Sequence, residues 1–286
     1  MKEELKAIAE IVNSDIAKEV YNDGAKPMVK SIGGIFGTLF GFVDNVVLYP
    51  MKKLNAILEV KAQTFKDELE QKLNNIPEEK RCEPDLSIIG PVLEALKYNL
   101  DNDEIRIMFE NLIANNVNSD IKNKTHPRFV EIIKQMNHFD AVIFKSIIDG
   151  ETSIILEPRV SIGKDRIANN LPKYISDCPF EIDEFLISAT LTNLDNLGLI
   201  DIDFLRYKNI PNIYEDCLNK NKKVNDIYSM FYIQQQFLLN LPPEERERNT
   251  KLLVNDLTEI RKEIGSKGVI SISDFGIMFS DVCLKS

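Results

Sequence analysis

Residues 28–49 have the sequence MVKSIGGIFGTLFGFVDNVVLY, in which Gly33, Gly37 and Gly41 recur every fourth residue inside an apolar stretch. In a helix, residues four apart drift by only about 40° around the axis, so these glycines form one narrow stripe. Each glycine destabilises a water-exposed helix by about 1 kcal/mol relative to alanine. The spacing therefore predicts a helix whose glycine stripe packs closely against another helix, in the protein or in a bilayer.

The apolar side chains of the same segment complete this candidate interaction site. They are Ile35, Phe36, Leu39 and Phe40. The longest uncharged run of the segment, residues 31–43, would reach about 20 Å as a helix, whereas the hydrocarbon core of a bilayer is about 30 Å thick. Two interpretations stay open: a helix buried in a soluble core or dimer, and a segment that self-associates or acts on a membrane.

Composition places the chain among globular proteins that fold without cross-links. The 286 residues are 44% hydrophobic, enough for one large or two ordinary domains. The four cysteines include no CxxC pair, and Met1 is followed by an amphipathic rather than a signal-like stretch, which predicts a cytoplasmic protein. The net charge of −10 is shared by both halves of the chain and argues against binding polyanions through bulk charge.

Helical spacing dominates residues 1–137, which we interpret as an N-terminal helical region containing the 28–49 segment. Pro27 and Pro50 are predicted to bound that segment. Pro91 is expected to start or kink a later helix. The other helices predicted in this region cover residues 5–20, 52–73, 92–100, 103–116 and 127–136.

Residues 138–286 differ because short β-branched stretches alternate with helices. This order of elements is typical of a winged-helix fold, with a helical insertion at about residues 213–264 interrupting the wing. The predicted fold class is therefore mainly α, with an N-terminal multi-helix region followed by a C-terminal winged-helix-like α+β region. Strands are predicted at residues 152–156, 199–204 and 268–273, and helices at 140–148, 182–197 and from Asp274.

Several segments of the chain resemble the bacterial abortive infection protein alpha family, long filed as a domain of unknown function. They are YNDGAKPMVKSIGG (21–34), PDLSIIGPVLEALKYNLDNDEIRIMFENLIANNVNSD (84–120), THPRFVEIIKQMNHFDAVIF (125–144), LTNLDNLGLI (191–200) and ISISDFGIMFSDVC (270–283). The resemblance covers most of the chain. It implies a link to phage defence, in which an infected cell stops growing or dies before phage are released. It implies no catalytic residues, so none are assigned from it.

A winged helix invites a DNA-binding interpretation, which the charges oppose. The segment equivalent to a recognition helix, residues 183–197, contains Asp183, Glu184 and Asp195 and no lysine or arginine. Such a surface repels phosphate, whereas proteins that read DNA present basic groups to it. The sequence therefore disfavours nucleic acid as a partner.

Enzymatic signals are also weak, and we predict no catalytic residue, no cofactor and no metal site. His126 and His138 are the only histidines, and no cysteine pair could supply further ligands to a transition metal. Pro127 follows His126, so we expect His126 to begin a helix rather than to act as a base. The kinase-like triplet Asp274-Phe275-Gly276 lacks its partner motifs.

Together these observations predict a non-enzymatic phage-defence factor that works through protein interaction and membrane association of its N-terminal helices. The expected partners are an unidentified protein, which could be phage-derived, a second copy of the chain and, on activation, the inner membrane. The alternative is a soluble winged-helix regulator that binds a protein or, less in keeping with its charge, DNA. The sequence does not identify the trigger or the target.

Overall fold

The computed structural model of the chain describes residues 35–54, 56–163, 166–245 and 260–285. The predicted helix at residues 5–20 and the start of the glycine segment, including Gly33, lie outside the described residues. The described part is mainly helical, with an α+β region in the C-terminal half, which confirms the predicted fold class at that level.

Eleven helices are bounded within the described residues. They are α1 (Ile35–Val43), α2 (Tyr49–Leu54), α3 (Ala56–Asn74), α4 (Leu86–Leu96), α5 (Asp103–Asn116), α6 (Pro127–Gln135), α7 (His138–Ile148), α8 (Glu184–Asn196), α9 (Ile213–Lys220), α10 (Lys222–Leu239) and α11 (Asp274–Cys283). A π-helical turn, Asp44–Leu48, lies between α1 and α2. The strands are β1 (Ile154–Ile162), β2 (Arg166–Ile167), β3 (Ile175–Ser176), β4 (Ile200–Asp203) and β5 (Ile260–Ile272).

The chain divides into two compact units. Unit 1 comprises residues 1–141 together with 274–286, and unit 2 comprises residues 142–273. The last helix, α11, thus belongs to the unit formed by the N-terminal helices, although its sequence follows directly on β5.

The core of unit 1 forms where the apolar faces of its helices meet. In α3, Phe65, Leu69 and Leu73 are fully buried, and their spacing of four keeps them on one side of the helix. Phe129 of α6 and Phe279 of α11 meet edge to face, with ring centroids 5.3 Å apart. Aromatic contacts of this geometry stabilise a core beyond the area that they bury.

The starts of several helices are fixed by side chains that accept backbone N–H groups. Asp85 accepts from Ser87 at 2.9 Å, so α4 begins at Leu86 and not at the predicted residue 92. Pro91 consequently lies inside α4, so it does not start the helix, and the alternative that it kinks the helix stays a prediction.

Pro50 was predicted to end the glycine-segment helix, and this prediction is wrong, because the chain remains helical through Leu54. The N–H of Tyr49 bonds to the carbonyl of Asp44 in the wider π pattern. Pro50, which has no N–H to donate, directly follows this π turn, where the regular α pattern of hydrogen bonds is already interrupted.

Unit 2 contains an antiparallel sheet in the order β2-β1-β5-β4, with β3 also paired to β1. Its two long strands extend well beyond the predicted ones. β1 runs on to Ile162, and a bulge between Glu157 and Pro158 accommodates a proline that cannot donate to the ladder. β5 begins at Ile260, so residues 260–264, assigned from the sequence to the helical insertion, are strand.

The buried side of this sheet is covered by α9 and α10. Ile154, Leu156 and Val160 of β1 pack with Leu218 of α9 and Val224 of α10 in one apolar cluster. The two helices lie within the insertion predicted at about residues 213–264. The winged-helix assignment itself stays a prediction: α8, the Gly198 turn and the β4–β5 pair are present, while the closing helix α11 belongs to unit 1.

Candidate functional site

The predicted interaction site lies at the start of the described chain, and its residues have different environments. Leu39 is fully buried, whereas Phe36, Gly37 and Phe40 are half-buried. Ile35 is the first residue of α1. The apolar segment is therefore only partly available to an external partner.

The buried side of the segment is part of the core of unit 1. Leu39, Val43, Val47 and Met51 follow one another at intervals of four, and all are buried. Residues four apart drift steadily around an α-helix, but the π turn takes more residues per turn and offsets that drift. One continuous apolar face therefore runs from α1 into α2 and is used within the protein.

Gly41 makes no close contact with another helix in the part of the chain that the structure describes. A Cβ built on Gly41 meets no atom within 4 Å among the described residues. A small side chain at this position would therefore fit without strain. For Gly33, Gly37 and Gly41 the packing role stays a prediction.

Cationic side chains lie over the rings of two aromatic residues of the segment. The Arg81 guanidinium lies 4.6 Å from the centroid of Phe36, and the Lys66 ammonium lies 6.0 Å from that of Phe40. Lys66 also forms an ion pair with Asp44 of the π turn. Cation–π contacts at partly exposed sites contribute about 0.5–1 kcal/mol each. They favour keeping these rings on unit 1 rather than releasing them.

The exposed apolar side chains of this region lie further along the chain, in α2 and the first half of α3. We call them the α2–α3 apolar surface: Tyr49, Leu54, Ile57 and Val60, which are between 48% and 69% exposed. In α3, Val60 lies nearly opposite the buried Leu69, since nine residues advance the helix by about two and a half turns. This surface adjoins Lys52, Lys53 and Lys61 in sequence.

The sequence predicted a helix over residues 52–73 but did not reveal that the α2–α3 apolar surface is exposed. Helical periodicity identifies apolar positions but does not tell which of two neighbouring apolar stripes meets the core. Clustered large apolar side chains on a protein surface commonly mark an interaction site.

A second feature that the sequence did not reveal is a buried ion cluster between α3 and α5. Glu110 is fully buried, and its carboxylate lies 2.8 Å from the guanidinium of Arg106 and 2.9 Å from the ammonium of Lys72. Arg106 also pairs with Glu68 and Asp103. Each charge thus has an opposite partner, as burial of charged groups requires.

Burial raises the pKa of Glu110 to about 7, even though the neighbouring Lys72 and Arg106 favour its charged form. A group with such a pKa changes its charge near neutral pH. The cluster contains no nucleophile, however, and its side chains are engaged with one another. We interpret it as a structural ion cluster that holds α3 and α5 together.

One hydroxyl of unit 2 is surrounded by charged groups in a way that resembles a catalytic site. Ser153 Oγ accepts a hydrogen bond from the ammonium of Lys208 and donates one of 2.9 Å to Asp177. A serine nucleophile would instead give its proton to a neutral lysine. Asp177 also accepts the backbone N–H groups of Ser153 and Ile154, so the cluster anchors the start of β1.

His126 is the N-cap of α6, which confirms the prediction that it begins a helix ahead of Pro127. Its Nδ1 accepts the backbone N–H of Arg128 at 3.0 Å, and its ring packs against Phe129 and Phe275. Nδ1 of His126 therefore acts as the acceptor at the cap, and the cap together with the ring contacts explains its position.

Two other kinds of site are absent from the described residues. Among them, no helix combines the length and apolar character needed to cross a bilayer. Over the same ranges, no group of three or more histidine, cysteine, aspartate or glutamate side chains is placed to hold a metal ion.

Comparison with known proteins identifies one family. A model of the family described as abortive infection alpha matches residues 57–283, which is most of the chain and covers all of unit 2 and part of unit 1. Comparisons with curated proteins and with solved structures give no match.

Proposed function

The chain belongs to the abortive infection alpha family, and on that premise we propose that it is a non-enzymatic phage-defence factor that acts through protein interaction. The family description supports the link to abortive infection, in which infected cells are lost before phage are released. The α2–α3 apolar surface carries the proposal that the protein acts by contact, because it is the exposed apolar region next to the predicted interaction segment.

A non-enzymatic mechanism fits the polar clusters of the described residues. The Ser153 hydroxyl donates to Asp177, opposite to the direction that a nucleophile paired with Lys208 needs. Glu110 is enclosed by its own ion pairs. Both clusters support the fold. We therefore propose that the protein inhibits phage growth by binding a host or phage protein.

The chemistry of the α2–α3 apolar surface indicates what the partner presents. The surface combines aliphatic and aromatic side chains with Lys52, Lys53 and Lys61 in the same stretch of chain. A protein partner that matches it offers an apolar groove or helix face with acidic residues at the rim, because such a rim pairs with the lysines.

Peripheral membrane association is a second candidate, favoured by the same combination of apolar and basic groups. Side chains of this kind bind the headgroup region of a bilayer without crossing it. In that case a cytoplasmic protein would move to the inner membrane on activation. The pairing of Asp44 with Lys66 removes part of the cost of placing that acidic residue near the membrane.

An infection experiment tests the proposed function. Bacteria with and without the protein are infected with a panel of phages at low and at high phage-to-cell ratios, and cell survival and phage release are counted. We expect protected cultures at the low ratio, culture collapse at the high ratio and reduced phage release at both. Survival of individual infected cells, or unchanged release for every phage, would contradict the proposal.

Membrane fractionation before and after infection separates the two candidates. Protein interaction predicts that the protein stays in the supernatant at both times, in a larger complex after infection. Membrane association predicts that it moves to the membrane fraction.

A further inference from the structure

The ion cluster between α3 and α5 combines two cations with three carboxylates. The cations are Lys72 and Arg106, and the carboxylates are Glu68, Asp103 and Glu110. The side chains of Glu68 and Asp103 are 39% and 75% exposed, so water stabilises their charges, whereas that of Glu110 is 1% exposed. Because an ionised group is costly to bury, Glu110 is the carboxylate of the cluster that holds a proton most readily.

Glu110 shares both of its cations with other acceptors. Nη1 of Arg106 donates to Glu68 as well as to Oε1 of Glu110. The ammonium of Lys72 donates to Asn111 at 2.6 Å, and it lies 2.9 Å from Oε2 of Glu110 in a direction that makes no hydrogen bond to that oxygen. A negative charge on Glu110 is therefore only partly compensated, and Oε2 has the capacity to carry a proton.

The neighbouring charged groups are paired elsewhere or exposed, so they do not supply a further cation to Glu110. Asp67 and Glu70 of α3 and Asp274 of α11 are exposed. Burial raises the pKa of the Cys283 thiol in α11, which keeps it neutral. The pairs are Lys61–Asp101 and Lys66–Asp44 from α3, Glu94–Lys97 from α4, Glu104–His138 from α5, Glu131–Lys134 from α6, and Asp281 with Lys124 and Lys285 from α11.

We propose that this cluster is a proton-controlled latch, which holds α3 on α5 while Glu110 carries a proton and loosens α3 when the proton is lost. Burial raises the pKa of Glu110 from 4.5 to about 7. When α3 moves away from α5, water reaches the carboxylate and its pKa returns towards the ordinary value. The opened state therefore releases the proton more easily, and a rise in pH through neutrality favours opening.

The latch also bears on the α2–α3 apolar surface. Ile57 and Val60, two of the four residues of that surface, belong to α3. Loosening of α3 would change how these side chains are presented, so that contact with a partner would depend on pH. This consequence rests on the proposed function, whereas the latch itself does not.

Amide hydrogen exchange of the full chain tests the latch between about pH 6 and pH 8, with each rate corrected for the intrinsic effect of pH. Protection of α3 should fall by about tenfold over this range, because the closed state binds a proton that the opened state has already released. α4 of unit 1 and β1 of unit 2 are the internal controls and should keep their protection.

Three variants test the assignment to this cluster. Glu110→Gln, which stays neutral, should remove the pH dependence of α3. Glu68→Gln leaves two cations with two carboxylates, which favours ionised Glu110, so the fall in protection should be smaller. Glu70→Gln is the matched control, since Glu70 is an exposed glutamate of the same helix and should leave the full fall unchanged.

Three results would overturn the latch. They are constant protection of α3 in the wild-type protein, an equal loss of protection in α3, α4 and β1, and a pH dependence of α3 that persists in Glu110→Gln. An equal loss would show that pH acts on the whole fold rather than on α3. A failed infection experiment would contradict the proposed function and leave the exchange result unchanged.

Discussion

The side-chain amide of Asn111 donates a hydrogen bond of 2.9 Å to the backbone carbonyl of Cys283, which ties the middle of α5 to the last residue of α11. The oxygen of the same amide accepts from the ammonium of Lys72 in α3 at 2.6 Å. One buried side chain therefore connects three helices of unit 1 that lie far apart in the sequence.

Replacement of this amide should destabilise unit 1. Asn111→Ala leaves the Cys283 carbonyl without its Asn111 partner and removes one of the partners of Lys72, which stays paired with Glu110. A buried polar group left unpaired costs about 1–3 kcal/mol. We expect a lower thermal unfolding midpoint, measured by calorimetry. The exposed Asn123→Ala is the control and should unfold at the wild-type temperature. Equal midpoints for Asn111→Ala and wild type would show that the connection contributes nothing.

The raised pKa of Glu110 predicts a particular dependence of stability on pH. Between its ordinary value of 4.5 and about 7, the folded protein holds a proton on Glu110 that the unfolded chain has released. The contribution of this group to folding therefore falls as pH rises through that window. Glu110→Gln, which stays neutral, should lose this dependence.

The comparison is made on the free energy of unfolding of both proteins from about pH 5 to pH 8. Relative to wild type, Glu110→Gln should gain stability as pH rises. Arg106 is not left unpaired in this variant, since Glu68 and Asp103 remain bound to it. The difference in the free energy of unfolding between Glu110→Gln and wild type could instead stay constant, or the variant could lose stability relative to wild type as pH rises. Either result would mean that Glu110 is charged throughout the range.

The N-cap at His126 predicts different effects for two substitutions. His126→Ala removes the acceptor for the Arg128 N–H and should destabilise α6 by about 0.5–2 kcal/mol. His126→Asn keeps an acceptor of suitable length and should recover most of that loss. The measurement is the unfolding midpoint of each variant. If Asn were as destabilising as Ala, the packing of the ring on Phe129 and Phe275 would be the main contribution.

Replacement by alanine should have opposite effects on stability at two glycines. A Cβ at Gly268 would lie 2.8 Å from the backbone oxygen of Asp203, so Gly268→Ala should destabilise the β4–β5 pair by about 1–3 kcal/mol. At Gly90 in α4, no described atom lies within 4 Å of the added Cβ, so Gly90→Ala should stabilise the helix by about 0.5–1 kcal/mol. Calorimetry of both variants checks the signs. If both variants were stabilised, or both destabilised, the predicted difference between the two positions would be refuted.

Elements with strong helical periodicity could be predicted from the sequence. The helix at residues 103–116 matches α5 at both ends, because Asn102 caps it and its apolar residues recur on one face. The first half of β5 could not be predicted, since it is charged and is held by pairing with β1 rather than by a clear alternation of buried residues.

The interaction site predicted in the 28–49 segment stays a prediction, and the structure adds how deeply its described residues are buried. Leu39 belongs to the predicted site and turns inward, while Ile57 and Val60, a few turns later, are exposed. The buried cluster had one signal in the sequence: Arg106 and Glu110 are four residues apart and directly follow the buried positions Ile105 and Phe109. Charges at such positions usually point to solvent, so the sequence alone did not distinguish them.

The most direct test of the central claim is phage release from infected cells that carry Ile57→Asp with Val60→Asp. Both side chains are exposed, so folding and protein level should be unchanged, and Tyr98→Asp, at an 81% exposed position of unit 1, is the matched control. If the protein acts by contact through the α2–α3 apolar surface, the double variant should release as many phage as cells without the protein, while the control should protect fully. Full protection by a stable, normally expressed double variant would contradict the account.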